Sequence, residues 1–230
     1  MSFAKVYSAQ PTVLTAELVS VEADLSRGLY SFSIVGLPDK AVEESKDRVS
    51  AAIKNAGFKS PKQSNTKVVI SLAPADIKKE GPVFDLAIAL AYLRAAKLVK
   101  FEPGGKLFLG ELSLDGAIRS VEGVLPAVRR AVEKGFREVY LPKENAREAA
   151  LIDGIEVYGV STLKEIVMHL DATHPQHKKI SVTPRTLLEY VAPTHSVELS
   201  DIRGQEAAKR ALVIAAAGGH NIALYGPPGT

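Results

Sequence analysis

The first thirty-five residues read as β structure. Three runs of apolar and β-branched positions, at 5–9, 13–23 and 29–35, are separated by turn signals at Pro11 and at Ser26-Arg27-Gly28. Gly36-Leu37-Pro38-Asp39 then breaks the pattern, and Asp39 is a suitable N-cap for a helix running to about Asn55. Its apolar positions Val42, Val49, Ala52, Ile53 and Ala56 share one face, and Gly57 ends it. The β-branched run 66–72 predicts a strand closed by Ala73-Pro74-Ala75-Asp76. After Gly81-Pro82 the stretch VFDLAIALAYLRAA is apolar on nearly every side, so this helix belongs in the middle of a domain. Its two charges are Asp85 and Arg94, and Asp85 reads as a structural acid held by the positive end of the helix.

Farther along, 101–105 reads as a loop, and 106–110 with 116–119 as a hairpin. Positions 121–134 are amphipathic through Val121, Val124, Leu125, Val128, Ala131 and Val132. A buried strand at 138–141, a short helix near 143–150, a strand at 155–160 and a helix at 161–170 follow. Periodicity then lapses: the sixteen residues DATHPQHKKISVTPRT hold two prolines, two histidines and two adjacent lysines, which is linker composition. Helical spacing resumes at 205–217, and 221–225 reads as a strand. The alternation predicts an α/β (α+β layered) chain with a domain at 1–170, a linker at 171–197 and the start of a second domain at 198–230.

Composition narrows the chemistry. With 46% hydrophobic and 24% charged residues the chain is globular rather than disordered. No apolar run reaches the roughly 18 residues that cross a bilayer, and the start MSFAKVYSAQ lacks the apolar core of a secretory signal, so the expected location is the cytosol, with no membrane partner. The absence of cysteine excludes disulfides, thiolate metal sites and cysteine nucleophiles. A net charge of +3 is too mild to argue nucleic-acid binding, which requires a local patch.

The last residues carry a recognisable chemistry. Phosphate loops of the form G-x-x-x-x-G-K-[ST] join a strand to a helix, because glycines let backbone N–H groups approach the phosphates. Here 221–225 supplies the strand, and Gly226-Pro227-Pro228-Gly229-Thr230 the first five positions of the motif. Taken alone this is a turn. Asp201-Ile202-Arg203-Gly204-Gln205, about twenty residues earlier, resembles the D-I-x-G-Q segment of AAA+ ATPases, whose backbone lies near the adenine. That resemblance makes Asp201, Ile202, Gly204, Gln205 and Gly226 to Thr230 the candidate nucleotide-binding residues, with Lys209 and Arg210 on a solvated helix face. ATP and Mg²⁺ are the cofactors expected of a longer parent protein. The 230 residues themselves hold neither the lysine that contacts the β- and γ-phosphates nor an acidic Mg²⁺-holding segment, and are expected to be inactive.

A second resemblance lies upstream. Lys78-Lys79-Glu80-Gly81-Pro82-Val83-Phe84-Asp85 looks like the Lon-protease segment in which a serine nucleophile follows Gly-Pro at the head of a buried helix. The stretch from Gly110 to Ala127 is similar to the one carrying that family's catalytic lysine, and 139–145 continues the match. The resemblance implies a ribosomal-protein-S5-domain-2-like fold. It also places Val83 at the serine position and Ala127 at the lysine position, and neither side chain can attack a carbonyl or move a proton, so there is no catalytic pair and protease activity is not expected. Ser113 and Ser120 read as hairpin surface residues.

Taken together, VGLPD at 35–39, ESKDRVSAAI at 44–53, LAPAD at 72–76, KEGP at 79–82, AAGGHN at 216–221 and the incomplete phosphate loop resemble the magnesium-chelatase-related YifB/ComM family over essentially the whole chain. The resemblance implies a homohexameric AAA+ motor and, for the competence members, branch migration of DNA. An alternative is a magnesium-chelatase-like or protein-remodelling subunit whose Lon-like domain is a docking module. In a third reading that domain only builds the oligomer.

Between Arg48 and Ala75 stand Arg48, Lys54, Lys59, Lys62 and Lys67 and no acidic residue, with Lys78 and Lys79 just beyond Asp76. The run is either a solvated surface or a set of phosphate contacts for single-stranded or branched DNA. Phe58 is the one aromatic residue within the run, and a single ring is no stacking platform, so base stacking is not indicated. His169, His174 and His177 straddle a helix end and the linker with Asp171 as the one nearby carboxylate, and a solvated linker is expected there rather than a shared metal.

Overall fold

The computed structural model describes residues 2–12, 14–63, 65–188 and 198–227. They divide into two compact units, 1–188 and 189–230. In the first, a long hairpin of β1 (Ser2–Pro11) and β2 (Ala16–Arg27) pairs from Ser2 opposite Leu25 to Pro11 opposite Ala16. Its turn is closed by the Thr12 amide on the Thr15 carbonyl at 2.7 Å. β3 (Ser31–Val35), α1 (Lys40–Asn55), β4 (Thr66–Ala73), α2 (Asp85–Ala95) and β5 (Lys106–Phe108) follow. Next come the two-residue strands β6 (Glu111–Leu112) and β7 (Ile118–Arg119), α3 (Val124–Glu133), β8 (Glu138–Pro142), α4 (Ala146–Ala149), β9 (Glu156–Val160) and α5 (Leu163–Leu170).

Seven strands form one sheet in the order β3-β4-β2-β1-β5-β8-β9. β2 pairs antiparallel with both neighbours and every other pairing is parallel, so β2 alone runs against the rest. This is an α/β chain with a mostly parallel central sheet. From Val19 to Leu25 on β2 and from Val68 to Leu72 on β4, buried residues alternate with partly or fully exposed ones, as in strands more deeply covered on one face. β8 is buried at four successive positions, as expected of an inner parallel strand.

α2 occupies the centre. Ten of its eleven residues are buried, Arg94 being the exception. It packs on β1, β2 and α1. Arg94 leaves the core by a defined route: its guanidinium donates to the Lys5 and Phe101 carbonyls at 3.1 Å and lies 5.0 Å from the Phe101 ring centroid. α1 starts as its sequence dictates, with Asp39 Oδ1 accepting from the Val42 amide at 2.7 Å. Gly36 is required at the preceding bend because its φ is +107° and a Cβ there would lie 2.1 Å from the Leu72 carbonyl oxygen.

Three expectations are corrected. Residues 106–110 are not half of a hairpin: β5 joins the main sheet between β1 and β8, and the hairpin is β6 with β7. Residues 171–188 are not a free linker. Asp171 is buried and accepts from the Lys100 amide at 3.0 Å and the Thr173 hydroxyl at 2.6 Å. The Thr183 amide donates to the Val157 carbonyl on β9 at 2.7 Å, and Thr186 reaches Ala150.

In the second unit α6 (Glu206–Gly218) ends with Gly219 in the left-handed region and the His220 amide on the Ala215 carbonyl at 2.8 Å, a Schellman-type stop. The third correction falls here: residues 221–225 form no strand, since a strand requires a hydrogen-bonded neighbour and the described residues of this unit offer none.

Candidate functional site

The junction that precedes α2 is held by backbone and side-chain bonds. Lys79 and Leu37 pair through their backbones, and Asp39 donates its amide to the Lys79 carbonyl at 2.9 Å. Asp39 Oδ2 accepts from the Gly81 amide at 3.2 Å, so one carboxylate caps α1 and fixes the glycine. Gln10 Oε1 accepts from the Glu80 amide at 2.7 Å. Lys79 is fully buried, and its ammonium donates to the Pro74 and Ile77 carbonyls. Burial pulls its pKa below the ordinary lysine value. From this junction the 3-10 turn Pro82–Phe84 leads into α2 with Val83 buried, while Ala127 is buried in α3. Both positions are filled by apolar side chains inside the core.

Asp85 is the first residue of α2 and has no exposed surface. Its carboxylate takes Arg48 Nε at 2.7 Å, Arg48 Nη2 at 3.1 Å, the Ser45 hydroxyl and the Leu112 amide at 3.2 Å. Burial raises its pKa, and the guanidinium, the hydroxyl and the amide pull the other way. With a guanidinium that stays charged at any physiological pH, the anion is the neutral-pH form. The helix-end reading of Asp85 therefore gains a partner that the sequence did not announce.

That pairing reorganises the basic run. Arg48 is committed to Asp85 and is not a free cation. Lys62 pairs with Asp47 at 2.8 Å and Lys78 with Glu80 at 2.6 Å. Lys54, Lys59 and Lys67 are exposed and enter no ion pair among the described residues. Lys67 lies on β4 opposite Ser26 of β2, and Lys54 in the last turn of α1. Lys59 lines two adjoining recesses together with Arg27 and Thr66, cross-strand partners at the end of the β2–β4 ladder. One of these recesses also takes in Lys97. Arg27 and Lys97 lie outside the run from 48 to 75, so sequence contiguity missed them.

In the second unit Asp201 ends a 3-10 turn (Leu199–Asp201) and accepts from the Glu198 amide at 2.8 Å. Gly204 and Gln205 are both left-handed, at φ +68° and +59°, and turn the chain into α6. All of Asp201 to Gln205 is exposed, as are Gly226 and Pro227; Pro228, Gly229 and Thr230 lie outside the described residues. Lys209 donates to Glu206 at 3.0 Å.

The three histidines do not behave alike. His169 is half-buried beside the stacked Tyr140 and Tyr158 rings. Its Nδ1 accepts from the Ile180 amide at 2.8 Å, and its Nε2 lies 3.1 Å from the Tyr140 hydroxyl, which donates to Glu138. This set selects the neutral ring with the proton on Nε2. Burial depresses its pKa, against the pull of Glu138. His174 Nδ1 accepts from the Gln176 amide, and His177 Nδ1 is 2.8 Å from the Met168 carbonyl. Among the described residues no group of three or more histidines and carboxylates is arranged to hold a metal. No helix among them is long and apolar enough to cross a membrane.

Residues 21–145 match the family described as subunit ChlI of Mg-chelatase, and residues 198–230 the family described as magnesium chelatase, subunit ChlI. The second match spans both candidate nucleotide segments. Competence protein ComM of Haemophilus influenzae is 41% identical over an alignment covering all of this chain and 44% of that protein. YifB of Escherichia coli K12 is 38% identical, again over all of this chain and 44% of the relative. A shorter similarity, 35% over 91 residues, covers 40% of the chain and 20% of the DNA repair protein RadA of Streptococcus pyogenes. The chain thus spans somewhat under half the length of ComM and YifB. Matched from 21 to 145 by the first family and along its whole length by those two relatives, the chain belongs to the magnesium-chelatase ChlI family, in the group of ComM and YifB.

Proposed function

We propose that the chain is the amino-terminal part of an AAA+ ATPase that acts on DNA, with residues 1–170 as a catalytically silent Lon-like platform and 198–230 as the start of the ATPase module. The observation that carries the reading is the pairing of Asp201 to Gln205 with Gly226 to Thr230 inside a magnesium-chelatase match, in a chain alike throughout to a competence protein. The DNA repair protein among the partial relatives supports the same substrate. Asp201, Ile202, Gly204 and Gln205 would flank the adenine, and Gly226 onward would cradle the phosphates through backbone N–H groups. ATP would supply the phosphoryl group, with Mg²⁺ neutralising its charge; the lysine that contacts the β- and γ-phosphates and the acidic residues that hold Mg²⁺ would come from the parent protein. A homohexamer in the cytosol is the assembly the family resemblance implies.

Two observations support the platform as a degenerate hydrolase scaffold. A Gly-Pro step leads into a buried helix, as the Lon resemblance requires, and Val83 and Ala127 fill the reactive positions with apolar groups packed in the core. The magnesium-chelatase family names favour a second reading, in which the platform docks a protein and the ATPase remodels it. ATP hydrolysis by the parent protein, measured with and without forked DNA, separates the two. Stimulation by DNA supports the motor; a rate indifferent to DNA and raised by a protein partner supports remodelling.

A further inference from the structure

Two adjoining recesses at one end of the central sheet share Arg27, Lys59 and Thr66. The end of β2 and the start of β4 meet there, with Arg27 paired in register to Thr66 and the Gly28 amide on the Asn65 carbonyl. The chain after α2 closes the other side with Lys97 and Leu98. The recesses measure about 330 and 510 Å³ and, among the described residues, no carboxylate lines either one. The three cations are exposed and enter no ion pair among the described residues, whereas Arg48, Lys62 and Lys78 each have a carboxylate. Leu25, Ala95, Ala96 and Leu98 add apolar lining to one recess, beside Ser2, Ser26, Thr66 and Tyr92.

Backbone geometry adds an independent observation. Lys97 occupies the left-handed position after α2, at φ +58°, with its amide on the Arg94 carbonyl and the Leu98 amide on the Leu93 carbonyl. This is a Schellman stop, where glycine is the unstrained choice. A lysine there carries backbone strain that a glycine would not. Strain kept at a position that faces a charged recess points to use of the side chain.

We propose that these recesses form a binding site for the backbone of single-stranded DNA, with Arg27, Lys59 and Lys97 on phosphates and the sugars against the apolar part of the lining. The proposal rests on the DNA-motor reading and gives it a location. It moves the contact from the run of 48–75, where Arg48 and Lys62 are already paired, to cations gathered from β2, the α1–β4 loop and the end of α2. A single strand is the expected occupant rather than a duplex, because a flexible strand can turn its phosphates to the cations and its sugars to the apolar lining together.

The test is fluorescence anisotropy of a labelled oligothymidylate titrated with the 230-residue chain. Three phosphate contacts on a single strand predict a salt slope of about −2, so a fourfold rise in salt weakens binding on the order of twentyfold. The triple variant R27E/K59E/K97E is expected to bind at least about tenfold more weakly at low salt, and K164E, on exposed α5 surface, to change little. The single variant Lys97→Gly is expected to raise the unfolding midpoint while weakening DNA binding, a split that a purely structural lysine would not give. Equal losses in K164E and the triple variant, tighter binding to a duplex of the same length, or binding to phosphatidylserine vesicles instead of the oligonucleotide would each overturn the site. Wild-type binding that survives all three substitutions overturns the site and leaves the motor reading intact, since that reading is decided by the DNA dependence of ATP hydrolysis in the parent protein.

Discussion

Arg48 and Asp85 are 37 residues apart in sequence and 2.7 Å apart in the fold, guanidinium Nε to carboxylate Oδ2. The pair ties the middle of α1 to the first turn of α2, and the Leu112 amide on the same carboxylate adds the hairpin. Because Asp85 is wholly buried and the Arg48 side chain only 20% exposed, the pair is poorly screened. Removing one partner leaves a buried charge without its counter-ion. Asp85→Ala is expected to lower the unfolding free energy by about 3–5 kcal/mol. Urea denaturation checks this, and a loss under about 1 kcal/mol would mean the interior is wetter than the structure implies.

Glycines 36 and 57 give a controlled comparison. Both have positive φ, at +107° and +91°, but a Cβ at 36 would meet the Leu72 carbonyl oxygen at 2.1 Å, whereas at 57 nothing lies within 4 Å. Gly57→Ala therefore carries backbone strain alone, about 1 kcal/mol. Gly36→Ala must also displace β4 backbone, and is expected to cost at least about 2 kcal/mol more. Thermal unfolding of the two variants reads the difference directly.

His169 predicts a pH dependence. Its folded pKa lies below the ordinary value of 6.5 because the ring is buried and its Nδ1 is occupied by the Ile180 amide. The unfolded chain therefore takes up the proton first as pH falls. Stability is complete above about 6.5 and declines below it until the folded pKa is passed. Wild type and His169→Gln, compared by urea midpoint at pH 7.5 and 5.5, should differ in slope, with the wild type losing more on acidification. The segment after α5 should loosen first, and faster amide exchange at Ile180 would report it.

Legibility from sequence followed the range of the interaction. Asp39 as N-cap, Gly36 as a break and α2 as a central helix are local or periodic signals, and all three stand in the structure. The place of β5 is not legible, because three residues of an apolar run do not say which strands will flank them. Its neighbours are β1, with Tyr7 opposite Leu107, and β8, with Leu107 opposite Val139. Linker composition at 171–188 hid the bonds from Asp171 and Thr183, since prolines and lysines describe a chain that turns but not what it lies against. The charge run is legible only in part for the same reason. Spacing along the chain does not show that the fold pairs Arg48 and Lys62 with carboxylates and brings Arg27 and Lys97 to Lys59 from elsewhere.

Strand exchange by the parent protein is the activity that a DNA motor must show. A labelled forked or four-way DNA substrate, incubated with that protein, ATP and Mg²⁺, is expected to release or migrate a strand only when the nucleotide can be hydrolysed. Substrate left intact under conditions where the same preparation hydrolyses ATP in response to a protein ligand would contradict it.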